Sequence, residues 1–140
     1  MADPTNATNG MMGVAASAMQ AQQARMRIIA ENLANSDSTS KTAGGDPYRR
    51  QVAVFEPVKM PDGSQGVKMR TVAPDQTAFH SLYQPGHPSA DAKGYVKMPN
   101  VDPLIEAMDM REAQRAYQAN LNVIETAKTI TSDTIALLNK

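Results

Sequence analysis

The 140-residue sequence contains no cysteine and no tryptophan. The lack of cysteine excludes disulfides, thiolate nucleophiles and cysteine-based zinc or iron–sulfur sites. Aromatic residues make up only 4% of the chain, whereas methionine occurs 10 times. The apolar side chains are therefore mostly small or flexible, which favours long helix contacts over a compact aromatic core.

Net charge and long apolar runs are also lacking. The 14 basic residues balance 14 acidic ones, so the overall charge attracts neither nucleic acid nor an anionic membrane. No apolar run approaches the roughly 18 residues that span a bilayer, and residues 1–10 lack the basic and apolar segments of a cleaved signal. We therefore expect no nucleic-acid partner, no direct membrane span and, if the protein is exported, a route without a cleaved signal.

The N-terminal part predicts a flexible leader followed by a long helix. Residues 1–10 are polar and rich in poor helix formers, so we expect them to be flexible. From Met11 onwards a heptad row extends over about three repeats and predicts a helix over residues 11–35. The row consists of Met12, Met19, Met26 and Leu33. We interpret it as a helix seam, although a methionine-rich groove for varied partners is an alternative.

The middle of the chain, residues 36–102, favours short strands and loops. Two runs enriched in β-branched residues, 48–58 and 66–74, flank a turn at residues 61–63. This arrangement predicts a β-hairpin. Residues 74–99 are rich in proline, and we expect them to be mostly extended or looped.

A second long helix is predicted over residues 103–140. Asp102 is placed to cap it, and Pro103 occupies its first position, where the missing N–H costs little. Three neighbouring heptad rows follow its length. They are Ala116, Val123, Ile130 and Leu137; Tyr117, Ile124, Thr131 and Leu138; and Ala113, Asn120, Ala127 and Thr134. Asn120 either sets the register of this seam or accompanies a local kink.

The seam of this second helix is too thin to be stable alone, so it must pack against another helix. The N-terminal helix is the nearest candidate, but it is shorter by about ten residues, or roughly 15 Å, which leaves part of the seam for neighbouring molecules. The sequence thus predicts an α+β fold in which long N- and C-terminal helices pair as a coiled-coil-like helical domain beside a small β-rich middle domain. The residues expected in seam or assembly contacts are Met12, Met19, Met26, Leu33, Ala116, Tyr117, Asn120, Val123, Ile124, Ala127, Ile130, Leu137 and Leu138.

Four stretches resemble one family of proteins. IAENLANSDST at 29–39 resembles the Asn-Leu-Ala-Asn signature of the bacterial flagellar axial proteins, which form the rod, the hook and hook-associated structures. PYRRQVAVFE at 47–56, PGHPSADAKGYVKMPNVDPLIEAMDM at 85–110 and QRAYQAN at 114–120 are similar to the proximal rod proteins within that family. The alternative is another rod or hook-type axial protein. The GHP and PNVDP stretches favour a proximal rod protein over that alternative. The residues that carry the motifs are Asn32, Leu33, Ala34, Asn35, Pro47, Tyr48, Arg49, Arg50, Gly94, Tyr95, Pro99, Asn100, Asp102, Arg115, Ala116, Tyr117 and Asn120.

This resemblance implies a structural subunit of the proximal rod, the drive shaft that carries motor torque to the hook. It implies that the paired helices form the inner tube domain of a helical assembly and that the β-rich middle lies outside it. The implied partners are other rod subunits, further copies of the chain and the flagellar type III export apparatus. The implied location is the rod of the basal body, outside the inner membrane and periplasmic in a Gram-negative cell. No catalytic residue, cofactor or metal is implied.

The residues themselves give weak support to metal binding. His80 and His87 lie in a proline-rich stretch with Asp75 and Asp91 nearby. Their spacing fits no common metal site, so we interpret both histidines as surface or packing residues.

Two further pairs of charged residues have simple interpretations. Asp109 and Glu112 share a helix face, which is typical of a solvated surface rather than of a catalytic pair. Arg49 and Arg50 are too few for a nucleic-acid interface, and we expect a strand-edge or subunit contact there. We therefore expect no enzymatic activity. A coiled-coil adaptor or secretion chaperone is an alternative from another class, and it predicts a stable, fully helical dimer in the cytoplasm.

Overall fold

The computed structural model describes residues 4–138 of the chain. Two long helices lie at the ends of the sequence, and the region between them contains two small antiparallel sheets. The elements in chain order are α1 (Pro4–Ala34), β1 (Gln51–Lys59), β2 (Gln65–Pro74), β3 (His80–Tyr83), β4 (Tyr95–Met98) and α2 (Pro103–Leu138). The predicted α+β fold with long terminal helices is therefore confirmed.

Helix α1 begins earlier than the sequence suggested. The predicted helix start at residue 11 is wrong, because the chain is helical from Pro4 onwards. The flexibility expected of residues 1–10 stays a prediction, and residues 1–3 lie outside the described part. Proline is well tolerated in the first turn of a helix, where its missing N–H has no helical partner. Gly10 is buried in this segment against Asp62 of the middle region, so tertiary contact supports the early turns.

Helix α2 begins as predicted. The Asp102 carboxylate accepts the backbone N–H of Leu104 at 2.9 Å, which caps the helix before Pro103. The helix continues to Leu138, and residues 139–140 of the predicted span lie outside the described residues. Neither of the two helices, as far as they are described, is long and apolar enough to cross a membrane.

The two helices pack side by side in opposite directions. Asn32 near the end of α1 contacts Glu106 at the start of α2, while Gln23 reaches Tyr117 further along at 3.5 Å. Helix α1 has 31 residues against 36 in α2. The predicted difference of about ten residues between the lengths of the two helices is therefore too large, because α1 begins within the segment that was predicted to precede it.

The β-hairpin is confirmed. Strands β1 and β2 pair antiparallel from Gln51 opposite Pro74 to Lys59 opposite Gln65. The connecting turn contains Gly63 with φ of 85°, a left-handed conformation that favours glycine. The hairpin lies against α1, where the Ser17 hydroxyl accepts the N–H of Val67 at 3.2 Å.

Residues 74–99 contain a second small sheet that was predicted to be loop. Strands β3 and β4 pair from His80 opposite Met98 to Tyr83 opposite Tyr95, and the rings of these tyrosines pack edge to face with centroids 5.2 Å apart. The frequent prolines of this stretch favoured a loop prediction. In addition, each strand has only 4 residues, and neither shows a clear alternation. The connection between them returns through Gly94, whose φ is 84°.

The buried core is small and consists of alanines and β-branched aliphatic side chains. Its apolar members are Ala15, Ala21, Ile28, Ile29, Val96, Val101, Ala113 and Ala127. Alanines on both helices allow the backbones to approach closely. Close packing rather than bulk therefore holds this helix pair together.

Candidate assembly site

A cluster of polar side chains joins both helices to the middle region where α1 ends and α2 begins. We call it the polar junction, and it consists of Asn32, Tyr48, Arg50, Asp75, Asn100, Glu106 and Asp109. Buried polar groups are costly unless they are hydrogen-bonded, so the partners of each group decide whether the cluster stabilises the fold.

Asn32 of α1 uses its whole side-chain amide within the junction. Its Nδ2 donates to the carbonyl of Gln51 at 2.8 Å and to the Glu106 carboxylate at 3.2 Å. Its Oδ1 accepts the hydroxyl of Tyr48 at 2.8 Å and the N–H of Gln51 at 2.9 Å. The side chain is 1% exposed, so these four hydrogen bonds replace water completely. Asn32 thereby fixes the first residue of β1 against the end of α1.

Glu106 and Arg50 form a buried ion pair beside Asn32. The Arg50 Nε donates to one oxygen of Glu106, whose carboxylate is fully buried, and Asn32 binds the other oxygen. The two terminal nitrogens of Arg50 reach Asp75 at 3.2 Å and Asp109 at 3.5 Å. One guanidinium therefore ties the residue before β1, the residue after β2 and the first turns of α2 together.

The chain before α2 is tied to the same arginine segment. Asn100 accepts the backbone N–H of Arg50 at 2.7 Å and donates to the hydroxyl of Thr77 at 2.9 Å. The neighbouring Arg49 donates to the carbonyl of Asp75 at 2.7 Å and lies over the ring of Phe79 at 4.1 Å from its centroid. Both arginines are thus engaged within the chain, at the start of β1.

The charges of the junction stabilise one another. Burial disfavours the charged form of Arg50, but the hydrogen bonds and charges of Glu106 and Asp75 outweigh it and raise the pKa of Arg50. The backbone N–H of Thr77, with Arg50 beside it, lowers the pKa of Asp75. Burial and the nearby charges of Glu31 and Glu106 raise the pKa of Tyr48, which keeps its hydroxyl a donor to Asn32. These shifts favour an ionised Asp75 carboxylate and a neutral Tyr48 hydroxyl within the junction.

The predicted seam of α1 lies at the margin of the buried face. Met12, Met19, Met26 and Leu33 are all half-buried. The fully buried side chains of this helix are Ala15, Ala21, Ile28, Ile29 and Asn32. Alanines, isoleucines and Asn32 occupy the buried positions, so the methionines border the buried face rather than fill it.

The three rows of α2 differ in burial. Ala113 and Ala127 are fully buried, and Asn120 between them is half-buried and donates to the carbonyl of Ala116 at 2.8 Å. Ala116, Tyr117, Ile124, Thr131 and Thr134 are half-buried. The row that includes Val123, Ile130 and Leu137 is instead 37%, 50% and 73% exposed, and Leu138 is 81% exposed. The alanine row thus faces α1, whereas contact of the exposed row with neighbouring molecules remains a prediction.

The residues that carry the family motifs have separable structural roles. Asn32, Tyr48, Arg50 and Asn100 converge on the polar junction, which their positions in the sequence do not reveal. Asn35 caps α1 by donating to the carbonyl of Glu31 at 2.8 Å. Of the others, Pro47, Gly94 and Pro99 are buried, Leu33 and Ala116 are half-buried, and Ala34, Tyr95 and Arg115 are exposed.

The sequence interpretation missed Glu106 and Asp75. Glu106 was assigned no site role from the sequence, yet it is the largest fully buried side chain among the described residues. A signal was present, since Glu106 precedes Ala113 by one heptad and so continues the buried row. No comparable pattern marks Asp75, because its place depends on the fold of the middle region.

The other charged candidates lie mostly at the surface. His80 is exposed, and the Nδ1 of His87 accepts the N–H of Ser89 at 3.0 Å. Asp109 and Glu112 each lie 3.9 Å from Arg25 of α1. Glu112 is exposed, as predicted, whereas Asp109 is half-buried and contacts Arg50 in the polar junction. Within residues 4–138, no group of three or more histidine and carboxylate side chains is arranged to hold a metal ion.

Comparison with known families agrees with the motif resemblance. Residues 12–40 match the family described as "Flagella basal body rod protein", and residues 92–137 match "Flagellar basal body rod FlgEFG protein C-terminal". These ranges contain most of α1 and most of α2. The second range also includes β4, and most of the middle region lies between the two ranges.

Individual relatives align along nearly the whole chain. The flagellar basal-body rod protein FlgC of Agrobacterium fabrum is 44% identical over 137 residues, which cover 97% of this chain and 96% of the relative. FlgC of Escherichia coli O6:H1 is 43% identical over 125 residues, covering 89% and 92%. FlgC of Borreliella burgdorferi is 37% identical, covering 91% and 95%. This chain therefore belongs to the FlgC family of flagellar basal-body rod proteins.

Proposed function

We propose that this chain is a structural subunit of the proximal rod of the flagellar basal body, where it helps to carry motor torque to the hook. The observation that carries the proposal is the apolar row of α2 that its own α1 leaves exposed, in a chain whose relatives are named as rod proteins. Exposed apolar rows of this extent are typical of surfaces that other subunits cover.

The proposed mechanism uses the helix pair as the part that assembles. The helices pair in a coiled-coil-like manner and form the inner tube domain, and the β-rich middle lies outside the tube. Contacts between different surfaces of successive subunits do not close into a dimer and so build a helical assembly. Each subunit then transmits torque through close-packed interfaces, which resist compression.

The polar junction supplies rigidity inside each subunit. Torque that reaches the middle region can pass to the helices through the segments that meet at Arg50 and Glu106, in addition to the contact of the hairpin with α1. A fully satisfied, buried polar network fixes the relative placement of those segments. This rigidity suits a drive shaft better than a flexible linker would.

The proposal includes partners and a location. The partners are other rod subunits, further copies of this chain and the flagellar type III export apparatus, with the rod outside the inner membrane as the location. We assign the chain no catalytic role and no cofactor. The adaptor alternative required a fully helical chain, and the two β-sheets of the middle region argue against it.

Deletion of the gene in its own host tests the proposal. We expect non-motile cells whose extracted basal bodies lack rod and hook in electron micrographs, and restoration of both by the wild-type gene. Motile cells with complete basal bodies would contradict the proposal.

A further inference from the structure

Two exposed patches lie at opposite ends of α2. The Leu104 patch comprises Leu104, Ile105, Met108 and Arg111 near its start, and the Ile130 patch comprises Ile130, Asp133, Leu137 and Leu138 near its end. Leu104 is 70% and Met108 63% exposed. Met108 and Ile130 are about 33 Å apart along a straight helix, so the two patches cannot meet within one molecule.

The two patches have the same pattern with opposite charge. On the Leu104 patch, Met108 is followed three residues later by Arg111; on the Ile130 patch, Ile130 is followed three residues later by Asp133. Residues three apart lie on one helix face. Within the described residues, neither Arg111 nor Asp133 forms a salt bridge, so both charges are available to a partner.

The order of this pattern favours one orientation. If the two helix ends lie alongside each other in the same direction, Ile130 faces Met108 and Asp133 faces Arg111. Leu137 then lies beside Arg115, whose aliphatic stem can cover it. In the opposite direction at the same overlap, Asp133 faces Met108 and Ile130 faces Arg111, which leaves each charge against an apolar side chain.

We propose that the Leu104 patch binds the Ile130 patch of a second copy of this chain, with the two α2 helices overlapping end to end in the same direction. This contact joins different surfaces and therefore propagates, as the proposed function, on which it rests, requires. The ion pair between Arg111 and Asp133 sets the register, while Met108 and Ile130 are removed from water against each other.

Cysteine cross-linking tests this contact directly, because the natural chain contains no cysteine. We would express the Met108→Cys, Ile130→Cys double variant in cells that lack the native gene, extract basal bodies and oxidise them. The purified double variant is oxidised in parallel at high concentration. We expect dimers and larger products on non-reducing gels from the double variant, and only dimers when chains carrying one cysteine each are mixed.

Two control variants sharpen the result. Thr129→Cys in place of Ile130→Cys puts the thiol about 100° around the helix, and we expect it to abolish the cross-link. Arg111→Asp in the double variant should cause loss of most cross-linked product, and adding Asp133→Arg should restore it.

Other outcomes would overturn the contact. Dimers alone from the double variant would indicate a two-fold antiparallel pair, cross-links only to another basal-body protein would identify a different occupant, and no cross-link would remove the contact altogether. These outcomes differ from failure of the proposed function, in which the wild-type chain itself would be missing from basal bodies.

Discussion

At the scale of single residues, the polar junction depends on the buried charge of Glu106. We expect Glu106→Gln to lower the free energy of unfolding by about 3 kcal/mol, since it leaves Arg50 partly buried with a weaker partner. Chemical denaturation of the purified variant measures this change. Glu112→Gln, on the same helix but 70% exposed at its side chain, is the matched control and should change stability by about 0.5 kcal/mol or less. Equal effects of the two substitutions would contradict the assigned role of the junction.

The lowered pKa of Asp75 predicts a loss of stability in acid. Its carboxylate binds a proton less readily in the folded chain than in the unfolded chain, so its contribution is complete above about pH 4, its ordinary pKa. The contribution is lost as the pH falls through the lowered pKa of the folded state. Asp75→Asn should therefore reduce stability at pH 7 and make the decline below pH 4 shallower in denaturation curves recorded across pH. An unchanged acid decline would show that Asp75 does not contribute in this way.

The sequence predicted some residue roles and not others for a physical reason. The cap formed by Asp102 is local, because donor and acceptor lie within a few residues, and the sequence predicted it correctly. The contact between Asn32 and Glu106 joins residues 74 positions apart. Only the packing of α1 on α2 brings them together, so the sequence marked Asn32 as a motif residue without showing its partner.

At the scale of elements, the connection between β3 and β4 depends on Gly94. Its φ of 84° is unfavourable for other residues, and a Cβ there would lie 2.9 Å from the ring of Tyr83. We expect Gly94→Ala to destabilise the chain by about 1–3 kcal/mol, measured by thermal or chemical unfolding. Gly86→Ala is the control, since a Cβ at Gly86 meets no atom within 4 Å. A variant at Gly94 as stable as the control would contradict the strain argument.

A substitution in the exposed row of α2 should impair assembly while leaving the folding of the chain nearly unchanged. Because Ile130 is 50% exposed, Ile130→Asp should leave the isolated chain nearly as stable as the wild type, yet block its incorporation into basal bodies. An unpaired charge in a covered apolar surface costs several kcal/mol, roughly 2–7 for a polar group and more for a charge. Swimming assays and immunoblots of basal bodies measure the effect, with the exposed neighbour Thr129→Asp as control. Normal motility of the Ile130 variant would show that this row is not covered in the assembly.

Long elements were predicted more accurately than short ones. The heptads showed α1 and α2, but the predicted stripe on α2 covered three rows without showing which one the chain itself buries, since alanine seams carry little hydrophobic contrast. The chain buries the row that contains Ala113 and Ala127, and the row with the larger apolar residues stays exposed. Strands β3 and β4 were missed because so few residues show no reliable period.

At the scale of the whole molecule, the small core predicts weak protection of the helices before assembly. The free energy that burial supplies scales with apolar area, and many of the buried apolar residues of the described helices are alanines. We expect amide hydrogen exchange in residues 12–33 of the isolated chain to be fast, and assembly to slow it. Strong protection of this segment in the isolated chain would contradict the expectation that the termini become ordered on assembly.

The polar junction also imposes a sequence of events on the folding chain. Asn32 and Arg50 leave the ribosome well before Glu106, the carboxylate that both of them contact. Domains are synthesised from the N-terminus, so the first helix and the hairpin exist for a time without that partner. A chain truncated before Glu106 never acquires it. The polar junction can therefore form only after α2 has been synthesised. An incomplete chain lacks the rigid connection between helices and middle region that torque transmission needs.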